Sequence, residues 1–263
     1  MSNLSPIKLA VFFAHIQEAA NQTGQSIETL LKEVKSFGIE ALEFDYEVLS
    51  AQEEFYQKLL HDMGFSVSSI YRFYDFGKKT VQPNDYVLID LAVRFGSQRV
   101  MAIPGFYASS DASGRELELQ CMIENIKKLV SYGQSKGIQV LMEDFDDCNS
   151  PFCTLDGLYR LMTEVPGIEC TFDTGNFIYD THSGLEALPK MLPYIRHVHF
   201  KDRMTDFSPA SVGSGVMQIE EILKLLLDNG YQGYVSIEHF GAPDQPEYIR
   251  QSAQWILSQI ASC

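Results

Sequence analysis

Four short apolar runs in this chain each end on a side chain that can bind a cation or move a proton. Val140-Leu141-Met142 leads into Glu143, Cys170-Thr171-Phe172 into Asp173, His197-Val198 into His199, and Val235-Ser236-Ile237 into Glu238. Three carboxylates set side by side are unfavourable, because like charges at close range push protons back onto one another. A divalent cation removes that penalty. One imidazole with three carboxylate oxygens is a hard, mixed nitrogen and oxygen set, suited to Mn²⁺, Mg²⁺, Co²⁺ or Zn²⁺ rather than to copper or an iron–sulfur cluster. Taken singly, each residue reads more readily as a solvated loop group, a helix cap or a hydrogen-bonded core histidine. Their joint position at the ends of successive apolar runs is what points to a site for one divalent metal ion.

Such a site needs a fold that makes those runs adjacent strands ending at one rim. Eight apolar or alternating runs read as strands: Ile7–Phe13, Ile39–Phe44, Phe65–Tyr71, Arg99–Ile103, Ile138–Glu143, Ile168–Asp173, Ile195–Phe200 and Tyr234–Glu238. Each is followed by helical periodicity, at Ser26–Phe37, Ala51–Met63, Asn84–Phe95, Arg115–Lys136, Leu155–Glu164, Leu185–Leu192, Ile219–Asp228 and Glu247–Ile260. Glycines such as Gly38, Gly64 and Gly137 fall between a helix end and the next strand, where a helix stop is expected. Eight βα units of about 33 residues each match a (β/α)8 TIM barrel. No linker rich in Pro, Gly or Ser splits the chain, so the expectation is α/β, a single (β/α)8 TIM barrel over 1–263. A doubly wound open sheet usually carries a glycine-rich first turn, and Phe13-Ala14-His15-Ile16-Gln17 has no glycine. In a barrel, the C-terminal strand ends carry the active site, which is where the four ligand candidates fall.

Composition narrows the partners. The 263 residues are 45% hydrophobic and 21% charged, with 20 Lys and Arg against 35 Asp and Glu, a formal net charge of -15. That sign repels phosphate backbones and anionic lipid, and no basic run offsets it, so neither nucleic acid nor membrane is an expected partner. The polar start and the short Ile7–Phe13 run, which carries Lys8, read as neither signal peptide nor membrane span, and the cytoplasm is the expected location. Five cysteines form no C-x-x-C pair, and their odd number argues for reduced thiols. Oligomeric state is left open, a homo-oligomer included.

Several motifs carry a wider resemblance. Leu141-Met142-Glu143, Phe172-Asp173-Thr174-Gly175-Asn176, His197-Val198-His199-Phe200-Lys201-Asp202, Val212-Gly213-Ser214-Gly215 and Gly230-Tyr231-Gln232-Gly233-Tyr234-Val235-Ser236-Ile237-Glu238 occur in that order. Together they resemble the xylose-isomerase-like TIM-barrel superfamily, and within it the sugar phosphate isomerase/epimerase family of tagatose/psicose 3-epimerases, inosose dehydratases and hydroxypyruvate isomerases. The resemblance implies one metal held by Glu143, Asp173, His199 and Glu238, with Glu143 and Glu238 also the catalytic proton-transfer pair. Asn176 stands where the epimerases usually place a substrate-touching His. Arg203 lies nearer the strand-seven His than the epimerases' Arg, and is carried over as a substrate contact. Lys201-Asp202 is similar to the inosose dehydratase branch, whereas hydroxypyruvate isomerases often lack a counterpart of His199. An abasic-site endonuclease of the same superfamily would need more ligands than six histidines offer and a basic face.

Further contacts follow from strand parity, since residues two apart share a face. His197 then lies one layer below His199, as its partner or as a core histidine, while His239 faces outward. Glu43, ending the second strand, is open to substrate contact or a rim salt bridge, and His15 is a candidate to reach the cavity after strand one. Phe12, Phe13, Tyr71, Phe73, Tyr107 and Phe240 are candidate walls, with plain core packing the alternative for each. Arg72 and Lys201 are able to meet a phosphate, yet no glycine-rich cradle accompanies them, so a neutral sugar or polyol substrate is preferred. Val212–Gly215 reads as a flexible rim loop.

The chemistry expected is that of a divalent-metal-dependent sugar isomerase or epimerase. A cation on the carbonyl and adjacent hydroxyl of a ketose acidifies the neighbouring C–H by stabilising the enediolate, one glutamate removing the proton and the other returning it. An inosose dehydratase-like lyase and a non-catalytic metal- or sugar-binding barrel are the alternatives.

Overall fold

The computed structural model describes residues 7–262. Its parallel strands are β1 (Lys8–Phe12), β2 (Ile39–Asp45), β3 (Ser66–Phe73), β4 (Arg99–Ile103), β5 (Gln139–Glu143), β6 (Glu169–Asp173) and β7 (Ile195–Arg203). A two-residue β8 (Pro209–Ala210) and then β9 (Tyr234–Glu238) follow. Neighbours pair in sequence order from β1 to β7, β7 pairs with β9, and β9 returns to β1, which closes an eight-stranded barrel. β8 stands outside that ring as an antiparallel partner of the end of β7.

The helices wrap the barrel: α1 (Phe13–Thr23), α2 (Ile27–Ser36), α3 (Tyr46–Ala51), α4 (Glu53–Met63), α5 (Val87–Phe95), α6 (Ala112–Lys136), α7 (Leu155–Glu164), α8 (Gly184–Met191), α9 (Ile219–Asp228) and α10 (Gln245–Ser262). α9 shows why they form. Ile219, Ile222, Leu223 and Leu226 recur at helical spacing and are buried, while Glu220, Glu221 and Lys224 face solvent. Leu223, 1% exposed, anchors that stripe, and its truncation to Ala removes about 2–5 kcal/mol.

The structure adds α3 and β8, which the sequence reading does not contain, and two further elements depart from it. The first helix begins at Phe13, directly after β1, and a second helix occupies the stretch expected to hold the first. Phe13, Ile16 and Ala19 form its buried face, but Phe12 at its N-cap makes no side-chain cap bond, so no start signal marks it. β7 runs to Arg203 rather than ending at Phe200, because Asp202 and Arg203 pair with Ala210 and Pro209 of β8.

The barrel has two mouths. Met101 and Ile103 of β4 line a cavity at the C-terminal strand ends. Arg99, on the same face by parity, lies at the opposite end.

Candidate metal centre

At the C-terminal mouth, register brings the ligand candidates together. His199 on β7 pairs with Asp173 on β6 and with Ser236 on β9. Glu143 and Glu238 are the last residues of β5 and β9. One donor atom from each of Glu143, Asp173, His199 and Glu238 lies within 4.8 Å of all the others, and all four residues are buried. His199 Nδ1 sits 2.7 Å from Glu143 Oε1, 3.2 Å from Glu238 Oε2 and 3.8 Å from Asp173 Oδ2.

This donor set fits a divalent cation. Asp173 Oδ2 is buried with no hydrogen-bond partner, while Oδ1 accepts the Gly175 N–H at 2.7 Å and fixes the carboxylate's direction. Burial, and then the charges of Glu238, Glu143 and Asp144, raise the Asp173 carboxyl well above its usual range against the pull of Lys201. Burial, with Glu238 adding to it and His199 opposing, pushes Glu143 up to about 6. Glu238 goes the other way: burial opposes its charge, but the Lys201 ammonium and His199 overcome that and hold it low. Crowding of this kind is what a cation relieves, by replacing the protons that the carboxylates otherwise retain.

Beneath the cluster lies a supporting network. Glu43 is 1% exposed. Its carboxylate accepts the Ser236 hydroxyl at 2.6 Å and faces His197 Nε2 at 2.8 Å, and both its oxygens lie 3.2 Å from His199 Nε2. Burial lowers His197 to about 4 despite Glu43, so it is neutral and donates Nε2–H to Glu43. Asp144 accepts the Asp173 N–H at 3.0 Å, tying β6 to the residue after Glu143.

Above the cluster is a cavity of about 420 Å³. Glu143, Glu238, Asn176, Lys201, Asp146 and Asp45 supply its polar lining, and Phe12, Tyr71, Phe73, Met101, Ile103, Phe145 and Phe240 the rest. Lys201 Nζ reaches Glu238 Oε1 at 2.8 Å, Asn176 Oδ1 at 2.8 Å and Asp146 Oδ2 at 3.1 Å. Glu143 and Glu238 therefore face the space a substrate would fill, with Lys201 and Asn176 beside them.

Three expected substrate contacts are placed elsewhere. Glu43 is enclosed under His199 and has its acceptors in use, so it serves neither as a substrate contact nor as a rim salt bridge. His15 is fully buried behind β1, where Nε2 accepts the His239 N–H at 3.0 Å and the two rings stack at 4.7 Å. His239 faces outward from the barrel as parity indicated, and is buried there against Tyr248 and Gln245 of α10. Arg203 donates Nε–H to Gly175 O at 2.7 Å and Nη1–H to Phe207 O at 3.0 Å, and also binds Asp146, which consumes its fork. Of the aromatics, Phe12, Tyr71, Phe73 and Phe240 line the cavity, whereas Phe13 stacks on Phe44 at 4.6 Å in the outer core and Tyr107 lies under Arg115 at 5.1 Å. Arg72 is occupied by Glu47 at 3.2 Å and the Tyr46 ring at 4.3 Å.

The rim loop expected to be flexible is pinned. Asp202 Oδ2 accepts the N–H groups of Gly213 and Gly215 at 2.9 and 2.8 Å, and Oδ1 those of Arg203 and Met217 at 2.9 and 3.2 Å. Gly213 has φ +86°, and a Cβ there would lie 2.2 Å from the Trp255 ring, so only glycine fits.

Sequence reasoning missed Asp144, Phe145, Asp146 and Asp45. The first three follow the end of β5, in a loop where period-2 parity no longer applies. Asp45 is two residues beyond Glu43 and was legible by the same parity that singled out Glu43.

Comparison with known proteins places these features in context. A family model described as xylose isomerase-like TIM barrel matches residues 31–259. An inosose dehydratase of Clostridium perfringens is 26% identical over 145 residues, 47% of this chain and 48% of that protein. The match spans about half the length of such curated relatives. The apo structure of the 3-keto-D-glucoside 4-epimerase YcjR from E. coli superposes with TM-score 0.76 at 18% identity, covering 96% of this chain and 99% of that one. A xylose isomerase-like TIM barrel protein from Mycobacterium smegmatis in complex with magnesium gives TM-score 0.71 at 19% identity, covering 98% and 97%.

Proposed function

The chain belongs to the xylose isomerase-like TIM barrel family, and from that premise we propose that it is a divalent-metal-dependent isomerase or epimerase of a ketose or related polyol. The observation that carries this reading is the division of labour among the four clustered residues. Glu143 and Glu238 line the cavity, while Asp173 and His199 are fully buried below it. A divalent ion held there by all four would supply Lewis acidity toward the substrate's carbonyl and neighbouring hydroxyl. The magnesium-bound relative supports a resident ion, and the epimerase relative supports the reaction class.

The chain's own residues do the rest. Glu238, kept ionised by Lys201 and His199, is placed to take a proton from the carbon beside the carbonyl, and Glu143 is placed to return one. The two carboxylates come from β5 and β9, which are not neighbours in the barrel, so they approach the cavity from separate sides. Asn176 and Lys201 line the cavity beside the glutamates, and Lys201, whose donors are engaged by Glu238, Asn176 and Asp146, meets a substrate hydroxyl only by exchanging one of those bonds. The aromatic lining, with Phe73 and Phe240 at the mouth 49% and 43% exposed, limits water around the exchanging proton. Lys201 is already paired with two carboxylates, which leaves no free cation for a substrate phosphate and favours a neutral sugar.

The curated relative supports a second reading, a dehydratase acting on an inosose, in which proton removal is followed by loss of the neighbouring hydroxyl. Incubation with a panel of ketoses and inososes in D₂O with Mn²⁺, followed by NMR, tests both. Deuterium at the carbon beside the carbonyl without loss of water supports the isomerase reading, and an unsaturated product supports the dehydratase. No exchange into any substrate, with metal retained, would leave a sugar-binding barrel and overturn both.

A further inference from the structure

The cavity above the metal cluster is divided in two. Glu143, Asn176, Lys201 and Glu238 come from β5, from the turn after β6, from β7 and from β9, so the polar groups beside the cluster stand on one half of the ring. The half built by β1, β3 and β4 offers Phe12, Tyr71, Phe73, Met101 and Ile103 instead. Its polar side chains are Tyr71 and, at the end of β2, Asp45, whose Oδ1 already accepts the N–H groups of Glu47 and Val48 at 2.7 and 3.1 Å.

The rings of that half form one continuous track. Phe12 and His199 meet edge to face at 4.9 Å, and Phe12 meets Tyr71 at 5.7 Å and Phe240 at 5.4 Å. Tyr71 in turn meets Phe73 at 6.4 Å, and Phe73 stacks on Phe106 at 6.5 Å and meets Phe145 edge to face at 6.0 Å. The track begins beside a residue of the metal cluster and ends in solvent, with Phe73 49% and Phe240 43% exposed. A single exposed phenylalanine is ordinary. Two that are joined through buried rings to the floor of a cavity leave a connected apolar surface for a ligand to cover.

This division decides what fits. A bare ketose or cyclitol carries a hydroxyl on nearly every carbon. With its carbonyl turned to the glutamates, the hydroxyls at its far end face hydrocarbon and lose water without gaining a partner, which is unfavourable for each of them. A flat apolar group in the same place covers Phe73 and stacks on it. The volume of about 420 Å³ falls within the range of about 300–1,000 Å³ that holds drug-sized ligands, which exceed a lone sugar ring. Resting on the reading of this cavity as a metal-dependent sugar site, we propose that its substrate is a glycoside rather than a free sugar. The keto sugar lies against Glu143 and Glu238, and an aromatic aglycone lies along Phe73.

Paired phenyl and methyl glycosides of glucose, galactose and mannose, each as its 3-keto derivative, test the assignment on the Mn²⁺-loaded protein. Calorimetry reads affinity, and NMR in D₂O reads proton exchange. The phenyl member of at least one pair should bind at least about tenfold more tightly than its methyl partner, and Phe73→Ala should reduce that ratio to below about threefold. Phe106→Ala, which removes the ring stacked behind Phe73, should lower it as well. The two readings fail separately. An aryl preference without deuterium exchange supports the aglycone site and overturns the proton-transfer reading. Exchange with equal affinity in every pair overturns the aglycone site and leaves proton transfer standing, as does a phenyl advantage that survives in both variants. Binding of neither member of any pair overturns the aglycone site too.

Discussion

His199 Nε2 lies 3.2 Å from both carboxylate oxygens of Glu43, while its Nδ1 faces the ligand cluster. The ring is thereby oriented from below, in the arrangement by which a carboxylate fixes the tautomer and direction of a metal-binding imidazole. Replacing Glu43 with Gln leaves an acceptor for Ser236 but removes the charge that orients His199. Divalent metal affinity should fall about 10–100-fold, measured by competition with a chelating dye. Unaltered affinity would show that Glu43 serves only to fill the barrel.

Metal uptake should release protons. Burial disfavours a charged His199, but Glu43 and Glu143 outweigh it and raise its pKa well above the usual value, so the metal-free ring carries two protons near neutrality. Ligation through Nδ1 expels one of them. As pH falls, the raised Asp173 carboxyl and, below about 6, the raised Glu143 carboxyl hold further competing protons. Affinity should therefore rise with pH, with a steeper dependence below that value than above it. Calorimetry in buffers of different ionisation heat counts the protons, and a count of zero near neutrality would remove His199 from the ligand set.

Substituting Glu143 or Glu238 with Gln keeps the shape of the cavity and removes a proton acceptor. Turnover should drop about 10²–10⁴-fold, with a much smaller change in sugar affinity measured on the same metal-loaded variants. Each variant should also lose solvent deuterium exchange into the substrate. Turnover close to that of the parent protein would end the paired-glutamate assignment.

The four clustered residues were legible because three of them close an apolar strand and His199 falls near the end of the apolar run of β7, and strand ends in a barrel meet at one rim. Period-2 parity also placed His197 under His199. What parity could not show was the occupancy of side chains. Glu43 reads like Glu143 in sequence, yet it is enclosed by Ser236, His197 and His199, contacts that join residues more than 150 positions apart. Arg203 reads as a free guanidinium until Gly175, Phe207 and Asp146 take its donors. The glycines of Val212–Gly215 suggested mobility, because nothing local in the sequence reveals that Asp202 and Trp255 converge on them.

That last contact gives a stability prediction. Asp202 is 2% exposed, and its carboxylate accepts four backbone N–H groups, from Arg203, Gly213, Gly215 and Met217. In Asp202→Ala those donors are stranded around a small void, and hydrogen bonds to a charged acceptor contribute more than neutral ones. Urea unfolding should show a loss of about 3 kcal/mol, with Asp202→Asn losing less because one amide oxygen still accepts. Amide hydrogen exchange at Gly213, Gly215 and Met217 should be slow in the parent protein and fast in Asp202→Ala. Fast exchange at these amides in the parent, together with unchanged stability in the variant, would restore the reading of the loop as free to move.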